Sequence, residues 1–424
     1  MTENPIAELV ERHRSGEAVG ITSVCSAHPL VLTAAVRQGV EDGSLVLVEA
    51  TSNQVDQFGG YTGQTPADFR DAVVALAAEE GLPADRLVLG GDHLGPNRWA
   101  REDAGTAMAN ADDLVAAYAA AGYAKLHIDC SMRLVGDPER LPDALVAERA
   151  ARLIRIAEDA RPADGVPPVY VIGTEVPVPG GAHEELGALT PTSPEAARET
   201  LRAHREALES TGLGGVWERV RALVVQPGVE FDALKVVDYV PAATVALQRV
   251  LDDEPGLVFE AHSTDYQSPA ALSALVRDHW AVLKVGPGLT FALREALVAL
   301  VRIEEELLPG GRSGLLEVVE ERMLAEPSSW RGYYEGDERE QRIARRFSYS
   351  DRVRYSLGDP AIIAAQERLF ANLRATGIPE PLVSQYLPRQ YWRVRSGEVP
   401  AEPEALAIRA VRDVLDDYAG ACRP

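Results

Sequence analysis

The sequence is poor in cysteine and has no long apolar run. Its three cysteines, Cys25, Cys130 and Cys422, form an odd and widely spaced set, which excludes a disulfide framework and a zinc site built on Cys-x-x-Cys pairs. No apolar stretch approaches the ~20 residues that a membrane-spanning helix requires. Residues 1–16 are charged and lack the apolar centre of a signal peptide, so we expect a cytoplasmic protein.

Positive charge is also scarce. The 424 residues carry a formal net charge of −23, whereas a nucleic acid or an anionic membrane would need a basic face to bind. Neither partner is therefore expected. A small phosphorylated substrate is not excluded, because charges farther apart than about 8 Å are largely screened at physiological salt, and a few local arginines and amides decide such binding.

Lysine is the rarest charged residue, since Lys125, Lys235 and Lys284 are the only three. A GC-rich genome accounts for a general preference for arginine. Lys125 and Lys284 nevertheless lie in short apolar runs, where the smaller head group or the titratable amine of lysine can be required. For Lys284, a structural role or contact with an anionic substrate is favoured over the alternative, a Schiff-base role.

Eight short apolar runs alternate with helical segments. They occupy residues 18–24, 44–48, 86–90, 125–128, 169–172, 222–225, 257–259 and 281–285. Such runs are typical of buried parallel strands, and eight β-then-α units predict a (β/α)8 barrel. The alternative is a doubly wound open sheet. It is disfavoured because no strand is followed by the Gly-x-Gly-x-x-Gly spacing that binds a dinucleotide; Gly286-Pro287-Gly288 is only a fragment of it.

The composition changes after residue 308. A break at Pro309-Gly310-Gly311 is followed by segments that are too rich in aromatic residues and arginine for a disordered tail. A helix is predicted from Pro360 to near Gly377 with Asp359 as its N-cap, and a last helix over residues 402–418. We therefore expect a barrel, residues 1–308, that carries the site, and a helical extension, residues 309–424, packed on the barrel rim.

Titratable residues follow several of the predicted strands. The third apolar run stops at Asp92-His93, and the fifth, sixth and seventh are followed by Glu175, Gln226 and His262. Because the carboxyl ends of all barrel strands meet at one rim, these side chains are expected to surround one opening. Two imidazoles and a carboxylate are a common ligand set for a catalytic divalent metal, to which Gln226 could add an amide oxygen.

These residues also have structural interpretations. A single histidine at a strand end is more often a hydrogen-bonded structural residue than a ligand, but two of only eight histidines at strand ends favour the metal site. Glu49 and Gln226 are explained equally well as site residues or as rim structure. Cys25 and Cys130 are expected to be small buried residues rather than nucleophiles, because the sequence places no histidine to activate either.

Two segments compete as the binding site for an anionic group. One is Gly286-Pro287-Gly288, between the eighth strand and its helix, where barrels often bind phosphate through backbone N–H groups. The other is the run from Ser350 through Arg352 to Arg354, whose polar side chains would contact the substrate together with Lys284. The alternative for this run is a solvated helix face that pairs with acidic neighbours.

Seven stretches along the chain carry a resemblance to a known family. They are residues 90–96 (Gly-Gly-Asp-His-Leu-Gly-Pro), 127–131, 173–177, 259–267, 284–287, 348–355 and 384–388. The sequence resembles the GatZ/KbaZ group of the tagatose-bisphosphate aldolase system. The resemblance implies a metal-binding TIM barrel similar to class II aldolases, with His93 on the metal and Asp92 as the acid/base. At the other metal positions class II aldolases use histidines, where this sequence offers Glu175, Gln226 and His262, which argues against net aldol cleavage.

The resemblance implies two kinds of function. Some members resemble a non-catalytic partner that stabilises a separate aldolase subunit, whereas others are implied to be epimerases that interconvert D-tagatose 6-phosphate and D-fructose 6-phosphate at C4. We expect the epimerase, because a scaffold needs no ligand set flanked by acids; the scaffold and a net class II aldolase are the alternatives. A divalent metal is expected, zinc ahead of manganese, cobalt or nickel, and a homo-oligomer is expected from the class.

Retro-aldol chemistry fits such an epimerisation. The hydrogen on C4 of a ketohexose is β to the C2 carbonyl and therefore not acidic, so simple deprotonation is a poor route. Instead, a base removes the C4-hydroxyl proton, the C3–C4 bond opens, and the aldehyde half turns before it adds again, while a metal polarises the C2 carbonyl. Asp92 is the expected base, with Asp129 or Glu49 as its relay.

Overall fold

The computed structural model describes residues 4–174 and 189–423. Within these ranges, eight parallel strands form a closed barrel in which each strand pairs with its sequence neighbours and the first pairs with the last. The strands are β1 (Ile21–Val24), β2 (Val46–Thr51), β3 (Leu87–Leu94), β4 (Lys125–Ile128), β5 (Val169–Ile172), β6 (Val220–Val224), β7 (Val258–Ala261) and β8 (Trp280–Val285). The predicted (β/α)8 barrel is confirmed, and each of the eight apolar runs overlaps one strand.

Helices connect the strands and continue after β8. In the described residues the α-helices are α1 (Pro5–Arg14), α2 (Pro29–Asp42), α3 (Pro66–Glu79), α4 (Ala104–Ala120), α5 (Asp143–Ala160), α6 (Pro194–Ser210), α7 (Val245–Gln248), α8 (Pro269–Arg277), α9 (Pro287–Leu307), α10 (Leu315–Ala325), α11 (Glu338–Phe347), α12 (Pro360–Thr376), α13 (Glu380–Tyr386), α14 (Pro388–Arg395) and α15 (Pro403–Cys422). None of them is long and apolar enough to cross a membrane.

Shorter elements complete the description. A two-stranded antiparallel hairpin, Glu230–Phe231 with Val236–Val237, follows β6. The 3-10 helices are Ala84–Arg86, Pro96–Trp99, Gly214–Arg219, Pro241–Ala243, Arg249–Asp253, Pro327–Ser329 and Arg352–Tyr355.

Side-chain caps mark where helices begin. Thr65 and Asp68 form a reciprocal capping box at the start of α3. At α12, the Asp359 carboxylate accepts a hydrogen bond from the Ala361 N–H, and Pro360 occupies the first turn, as the sequence predicts. Such caps satisfy N–H groups that lack a partner inside the helix and stabilise it by about 1 kcal/mol each.

One apolar cluster fills the barrel interior toward the amino ends of the strands. Its strand residues are Ile21, Leu47, Val88, Val169, Val171, Ala222, Val224, Val258, Ala281 and Val282. Helix α1 closes this end of the barrel, where Ile6 and Val10 belong to the same cluster. Removing such side chains from water contributes about 25 cal/mol per Å² of apolar surface, so this end supplies stability rather than chemistry.

The inward-facing positions farther along the strands are polar. Successive side chains of a strand alternate between its two faces, so residues two apart share the interior. Leu47 is followed in this way by Glu49, Val258 by Glu260, and Val282 by Lys284. The change from apolar to charged along single strands positions the candidate site at the carboxyl ends.

The last helix packs into the outer layer of the barrel. Helix α15 contacts α2, α8 and α9. The Gly20 N–H donates to the carbonyl of Cys422 at 2.9 Å, and the Tyr418 hydroxyl donates to the carbonyl of Thr264 at 2.8 Å. Because α2 follows β1 and α8 follows β7, α15 lies where a helix following β8 is placed in an eightfold barrel.

Candidate active site

Strand β3 continues through the Asp-His pair. The apolar run ends at Gly90, but β3 extends to Leu94, and its register against β4 shifts between Gly91 and Leu94. His93 within this bulge has a φ of 50°, a left-handed conformation that is uncommon outside glycine. Bulges redirect side chains near functional sites, and this one lets both Asp92 and His93 line the same pocket.

Two lysines and three carboxylates form a buried ionic layer. Lys125 Nζ lies 2.6 Å from Glu49 Oε1 and 2.7 Å from Glu260 Oε2. Lys284 Nζ lies 2.6 Å from Asp92 Oδ1 and 3.0 Å from Glu49 Oε2. All five residues are at most 4% exposed. Burying an unpaired charge costs several kcal/mol, so each charge in this layer requires its partners.

Lys284 carries a proton in this environment. Burial alone would lower the pKa of its amine, but the nearby carboxylates of Asp92, Glu49 and Glu260 raise it well above its ordinary value. A protonated amine has no lone pair for attack on a carbonyl. The geometry therefore favours an electrostatic role of Lys284 over a Schiff base.

His93 is held by Asp129. His93 Nδ1 lies 2.7 Å from Asp129 Oδ2, and the Asn97 amide donates to the same oxygen at 2.7 Å. The Ser131 hydroxyl donates to Asp129 Oδ1 at 2.6 Å. Burial would raise the pKa of Asp129, but the hydrogen bond and charge of His93 hold it below its ordinary value. The ionised carboxylate accepts the Nδ1 proton and orients the ring. Burial would lower the pKa of His93, but the charges of Asp92 and Asp129 raise it.

His127 and His262 have the same arrangement. His127 Nδ1 lies 2.8 Å from Asp92 Oδ1, and His262 Nε2 lies 3.1 Å from Glu260 Oε1. Among the described residues, the buried Nε2 of His127 has no hydrogen-bond partner. Burial lowers the pKa of His262 to about 3, so its ring is neutral at pH 7. The ring of His262 therefore offers one nitrogen lone pair.

This cluster fits a divalent metal ion. Ligand atoms of Asp92, His127, Glu260 and His262 all lie within 4.8 Å of one another, and the ring of His93 is 4.9 Å from that of His262. Histidines that bind metals usually donate their second ring N–H to a carboxylate or carbonyl, and each of these three rings has one nitrogen within hydrogen-bond distance of a carboxylate oxygen. The surroundings contain four buried carboxylates but only two ammonium groups: Glu49, Asp92, Asp129 and Glu260 against Lys125 and Lys284. A divalent cation would balance the excess of negative charge.

A pocket opens onto the cluster. Asp92, His93, His262 and Lys284 line it, together with Arg354 from the 3-10 helix Arg352–Tyr355. The Arg354 guanidinium donates to two backbone carbonyls and to the Tyr355 hydroxyl. It has no carboxylate partner among the described residues, so its charge is available to an anionic group of a ligand.

The other residues predicted to act in catalysis or on a metal occupy different surroundings. Glu49 and Asp129 are fully buried and are not among the described residues that line the pocket. The carboxamide oxygen of Gln226 accepts hydrogen bonds from the Gly228 and Val229 N–H groups at 2.8 and 3.0 Å, so it shapes its own loop. Glu175 lies outside the described residues.

The two segments predicted to bind anions differ. The Gly286 and Gly288 N–H groups donate to Asp265 Oδ1 at 3.0 and 2.7 Å, so a side chain of the protein already occupies them. Ser350 is buried, with its hydroxyl 3.3 Å from that of Ser348. These three residues therefore contact protein groups, whereas Arg354 lines the pocket.

Arg352 and the cysteines complete the surroundings. Arg352 stacks over the rings of Tyr333 and Tyr355 at 3.2 and 4.9 Å from their centroids and lines a neighbouring pocket. Cys130 is buried, and Cys25 lines the main pocket. Burial raises the pKa of both thiols, so both are protonated at neutral pH and are poor nucleophiles.

Sequence reasoning overlooked two members of the cluster. On β4, His127 lies two residues after Lys125. On β7, Glu260 lies two residues before His262, which directly follows the strand. Since residues two apart on a strand share a face, an inward-facing Lys125 indicates that His127 also faces inward, and an inward-facing His262 indicates the same for Glu260. Tyr61 and Tyr355, whose rings meet at 5.1 Å beside the pocket, are far apart in the sequence and carry no such signal.

The fold and the cluster define a class of protein, namely a (β/α)8 barrel with buried histidines and carboxylates at the carboxyl ends of its strands. The chain belongs to the GatZ/KbaZ-like family, described as D-tagatose-1,6-bisphosphate aldolase subunit GatZ/KbaZ-like, whose model matches residues 6–423. The family resemblance of the seven sequence stretches is thereby confirmed over nearly the whole chain.

Several solved structures are similar to this chain. A probable tagatose 6 phosphate kinase from Sinorhizobium meliloti 1021 is 50% identical, with a TM-score of 0.88 over 95% of this chain and 100% of that chain. The YdjI aldolase from Escherichia coli K12 is 14% identical, with a TM-score of 0.41 over 88% of this chain and 97% of that chain. A fructose-bisphosphate aldolase from Campylobacter jejuni is 13% identical, with a TM-score of 0.46 over 89% of this chain and 96% of that chain.

Proposed function

We propose that the chain is a divalent-metal-dependent epimerase that inverts C4 of ketohexose 6-phosphates and interconverts D-tagatose 6-phosphate and D-fructose 6-phosphate. One observation carries the proposal: three buried histidines, each paired with a carboxylate, lie together beside a pocket. His93 and His262 line this pocket, and so does the guanidinium of Arg354, which has no carboxylate partner among the described residues. A metal held by the histidines would bind carbonyl and hydroxyl oxygens of a sugar, and the guanidinium would bind its phosphate.

The metal would be held by His127, Glu260 and His262, with His93 beside them. Zinc is the first choice for imidazole and carboxylate ligands, with manganese, cobalt and nickel as alternatives. When bound, such an ion supplies a Lewis acid for the C2 carbonyl. Glu175 remains a proposed ligand from the sequence; Gln226 has less support, because its amide oxygen already accepts two backbone hydrogen bonds.

Asp92 is the proposed base. It lines the pocket, whereas His127 and Glu260 do not. Burial would raise its pKa, but the charges of His93 and Lys284 hold the pKa of Asp92 well below its ordinary value, so the carboxylate is ionised. Lys284 Nζ, 2.6 Å from Asp92 Oδ1, orients it and stabilises negative charge that develops nearby.

The proposed reaction opens and re-forms one carbon–carbon bond. Asp92 takes the C4-hydroxyl proton, the oxygen electrons form the C4 carbonyl, and the C3–C4 electron pair moves to C3, where it is conjugated with the C2 carbonyl. The aldehyde half turns, and the reverse steps restore the bond on its other face and return the proton. Arg354 would hold the phosphate of the aldehyde half while the carbonyl carbon rotates.

A second candidate is a subunit that stabilises a separate aldolase. The family description, which names an aldolase subunit, favours it. In that function the ionic layer would be a structural element, and the chain alone would turn over no sugar phosphate. Net aldolase activity is a third possibility that the same cluster could support.

One assay separates these functions. The chain is purified alone, incubated with D-tagatose 6-phosphate with and without a chelator, and followed by ³¹P and ¹³C NMR. The proposal requires D-fructose 6-phosphate as the single product, loss of turnover with chelator, and recovery with added zinc. Accumulating trioses would show net cleavage. Turnover that appears only when a partner aldolase is added would show the subunit function.

The metal site is tested by metal content. His127→Gln removes the nitrogen that lacks a hydrogen-bond partner, and we expect bound metal, measured by mass spectrometry of the protein, to fall at least about tenfold, as for other losses around metal sites. His204→Gln is the matched control, because His204 is equally buried but lies on α6. Equal metal loss in both variants, or none in His127→Gln, would refute the assignment.

A further inference from the structure

We infer that Asp265 is a specificity-determining residue that keeps a second phosphate out of the pocket, so that the end of the ligand facing the loop after β8 carries a free hydroxyl. The inference deepens the proposed function and rests on it, because it names the substrate class of the same pocket. That class is sugar monophosphates rather than bisphosphates.

The loop after β8 has the geometry of an anion site, but a carboxylate fills it. Barrels often bind phosphate there through N–H groups at a helix start. Here α9 begins at Pro287, and the N–H groups on either side, those of Gly286 and Gly288, both donate to Asp265 Oδ1 at 3.0 and 2.7 Å. The approach is close: a Cβ at Gly288 would lie 3.0 Å from that oxygen.

Asp265 also forms part of the pocket wall. It lines the pocket beside Gly286 and Pro287 and is 3% exposed. Among the described residues no hydrogen bond reaches its second oxygen, Oδ2, which can therefore accept one from a sugar hydroxyl. Burial raises the pKa of Asp265 to about 6, so the carboxylate still carries its charge at pH 7.5 and repels a phosphate.

The positively charged side chains of the pocket can bind one phosphate. Lys284 is surrounded by the carboxylates of Asp92, Glu49 and Glu260 and has little charge to offer a further anion. Arg354 lines the same pocket without a carboxylate partner in the described part of the chain. A ligand that places its one phosphate at Arg354 and a hydroxyl at Asp265 matches the charges of both groups.

Binding measurements test the inference without relying on turnover. The affinities of D-fructose 6-phosphate and D-fructose 1,6-bisphosphate are measured by titration calorimetry at pH 7.5. The wild type is expected to bind the bisphosphate no more tightly than the monophosphate. Asp265→Asn keeps an oxygen for the two N–H groups but removes the charge, and it should improve bisphosphate affinity relative to monophosphate by about fivefold or more, roughly 1 kcal/mol.

Two further variants make the result decisive. Asp265→Ser vacates the N–H groups of Gly286 and Gly288 and should shift the preference toward the bisphosphate by at least about tenfold, or roughly 1.4 kcal/mol. Asp278→Asn removes the same charge from a buried carboxylate that pairs with Arg277, outside the pocket, and should leave the ratio unchanged. Circular dichroism and thermal melting check that each variant is folded.

The outcomes separate this inference from the proposed function. If the wild type already binds the bisphosphate tenfold more tightly, if the ratio does not move in either Asp265 variant, or if neither sugar phosphate binds, Asp265 does not select monophosphates. If the ratio shifts as expected but the NMR assay shows no epimerisation, the selectivity stands and the proposed reaction is wrong.

Discussion

The two ends of the barrel interior are built on the same strands but from opposite kinds of side chain. At the closed end, Leu47, Val258 and Val282 pack with helix α1 in an apolar cluster. Two residues farther along these strands, Glu49, Glu260 and Lys284 form buried ion pairs. The comparison teaches that one strand can supply stability at one end and chemistry at the other.

The energetic consequences of the two ends differ. Apolar packing tolerates moderate change, with a cost that follows the volume lost. A buried ionic layer tolerates such change poorly, because the loss of one charged side chain leaves its partners unpaired in a low-dielectric interior. Substitutions at the two ends should therefore separate stability from activity.

The largest expected effect is on catalysis at the polar end. Asp92→Asn keeps the shape of the side chain but removes the proposed base, so kcat/KM for D-tagatose 6-phosphate should fall by about 10²–10⁴-fold, as for other general bases. Turnover is measured by NMR, and metal content is measured in parallel. Full turnover with metal retained would show that Asp92 is not the base.

The next effect compares the two ends directly. Lys125→Met removes one of the two ammonium groups that Glu49 and Glu260 share and should destabilise the fold by about 3–5 kcal/mol while it also reduces turnover. Leu47→Ala, the matched change at the apolar end, should cost about 2–5 kcal/mol with kcat/KM within about twofold of wild type. Urea unfolding gives the first quantity. If Leu47→Ala impairs turnover as strongly as Lys125→Met, the division between the ends is wrong.

A smaller effect is expected from the predicted phosphate ligand. Arg354→Gln removes the guanidinium that lines the pocket and should raise KM for D-tagatose 6-phosphate by about tenfold, the equivalent of one charge-assisted hydrogen bond, with little change in kcat. Initial rates over a range of substrate concentrations provide both constants. An unchanged KM would place the phosphate elsewhere.

The smallest effect concerns acid at the closed end. His13 Nε2 lies 3.0 Å from His279 Nδ1, and burial together with the charges of His13 and Arg14 lowers the pKa of His279 to about 4. The unfolded chain, with a histidine pKa of about 6.5, binds the proton first. Stability is therefore fully present above pH 6.5 and declines as the pH falls toward 4.

A substitution isolates this contribution. His279 has a φ of 79°, a conformation that asparagine tolerates better than most residues, so His279→Asn should fold and should lose less stability between pH 6.5 and 4.5 than wild type. Urea midpoints across this range provide the comparison. Identical pH slopes would assign the acid sensitivity to other groups.

The sequence predicts the barrel well because its signal is local. Short apolar runs between helical segments located all eight strands, and the bounds of β4 and β5 agree with Lys125–Ile128 and Val169–Ile172. β3 is longer than its apolar run, because the glycines and polar residues that continue it do not resemble a buried strand. The bulge at His93 depends on pairing with β4 and has no local pattern.

The candidate site was only partly visible in the sequence. The strand ends directed attention to Asp92, His93 and His262, which line the pocket. Carboxylates that are buried beneath them, and His127, become apparent only when the inward-facing residues of neighbouring strands are combined. The occupation of the loop after β8 by Asp265 depends on a contact between two loops, which no pattern within one segment reveals.

The hydrogen bond between Gly20 and Cys422 joins the start of the barrel to its last helix, so it can form only after α15 has been synthesised. All eight strands leave the ribosome before α15 is made, and at about 5–20 residues per second the delay is on the order of ten seconds. During that time the surfaces of α2 and α8 that α15 covers stay exposed. A nascent chain of this protein is thus expected to need protection by a chaperone at that groove until its last helix arrives.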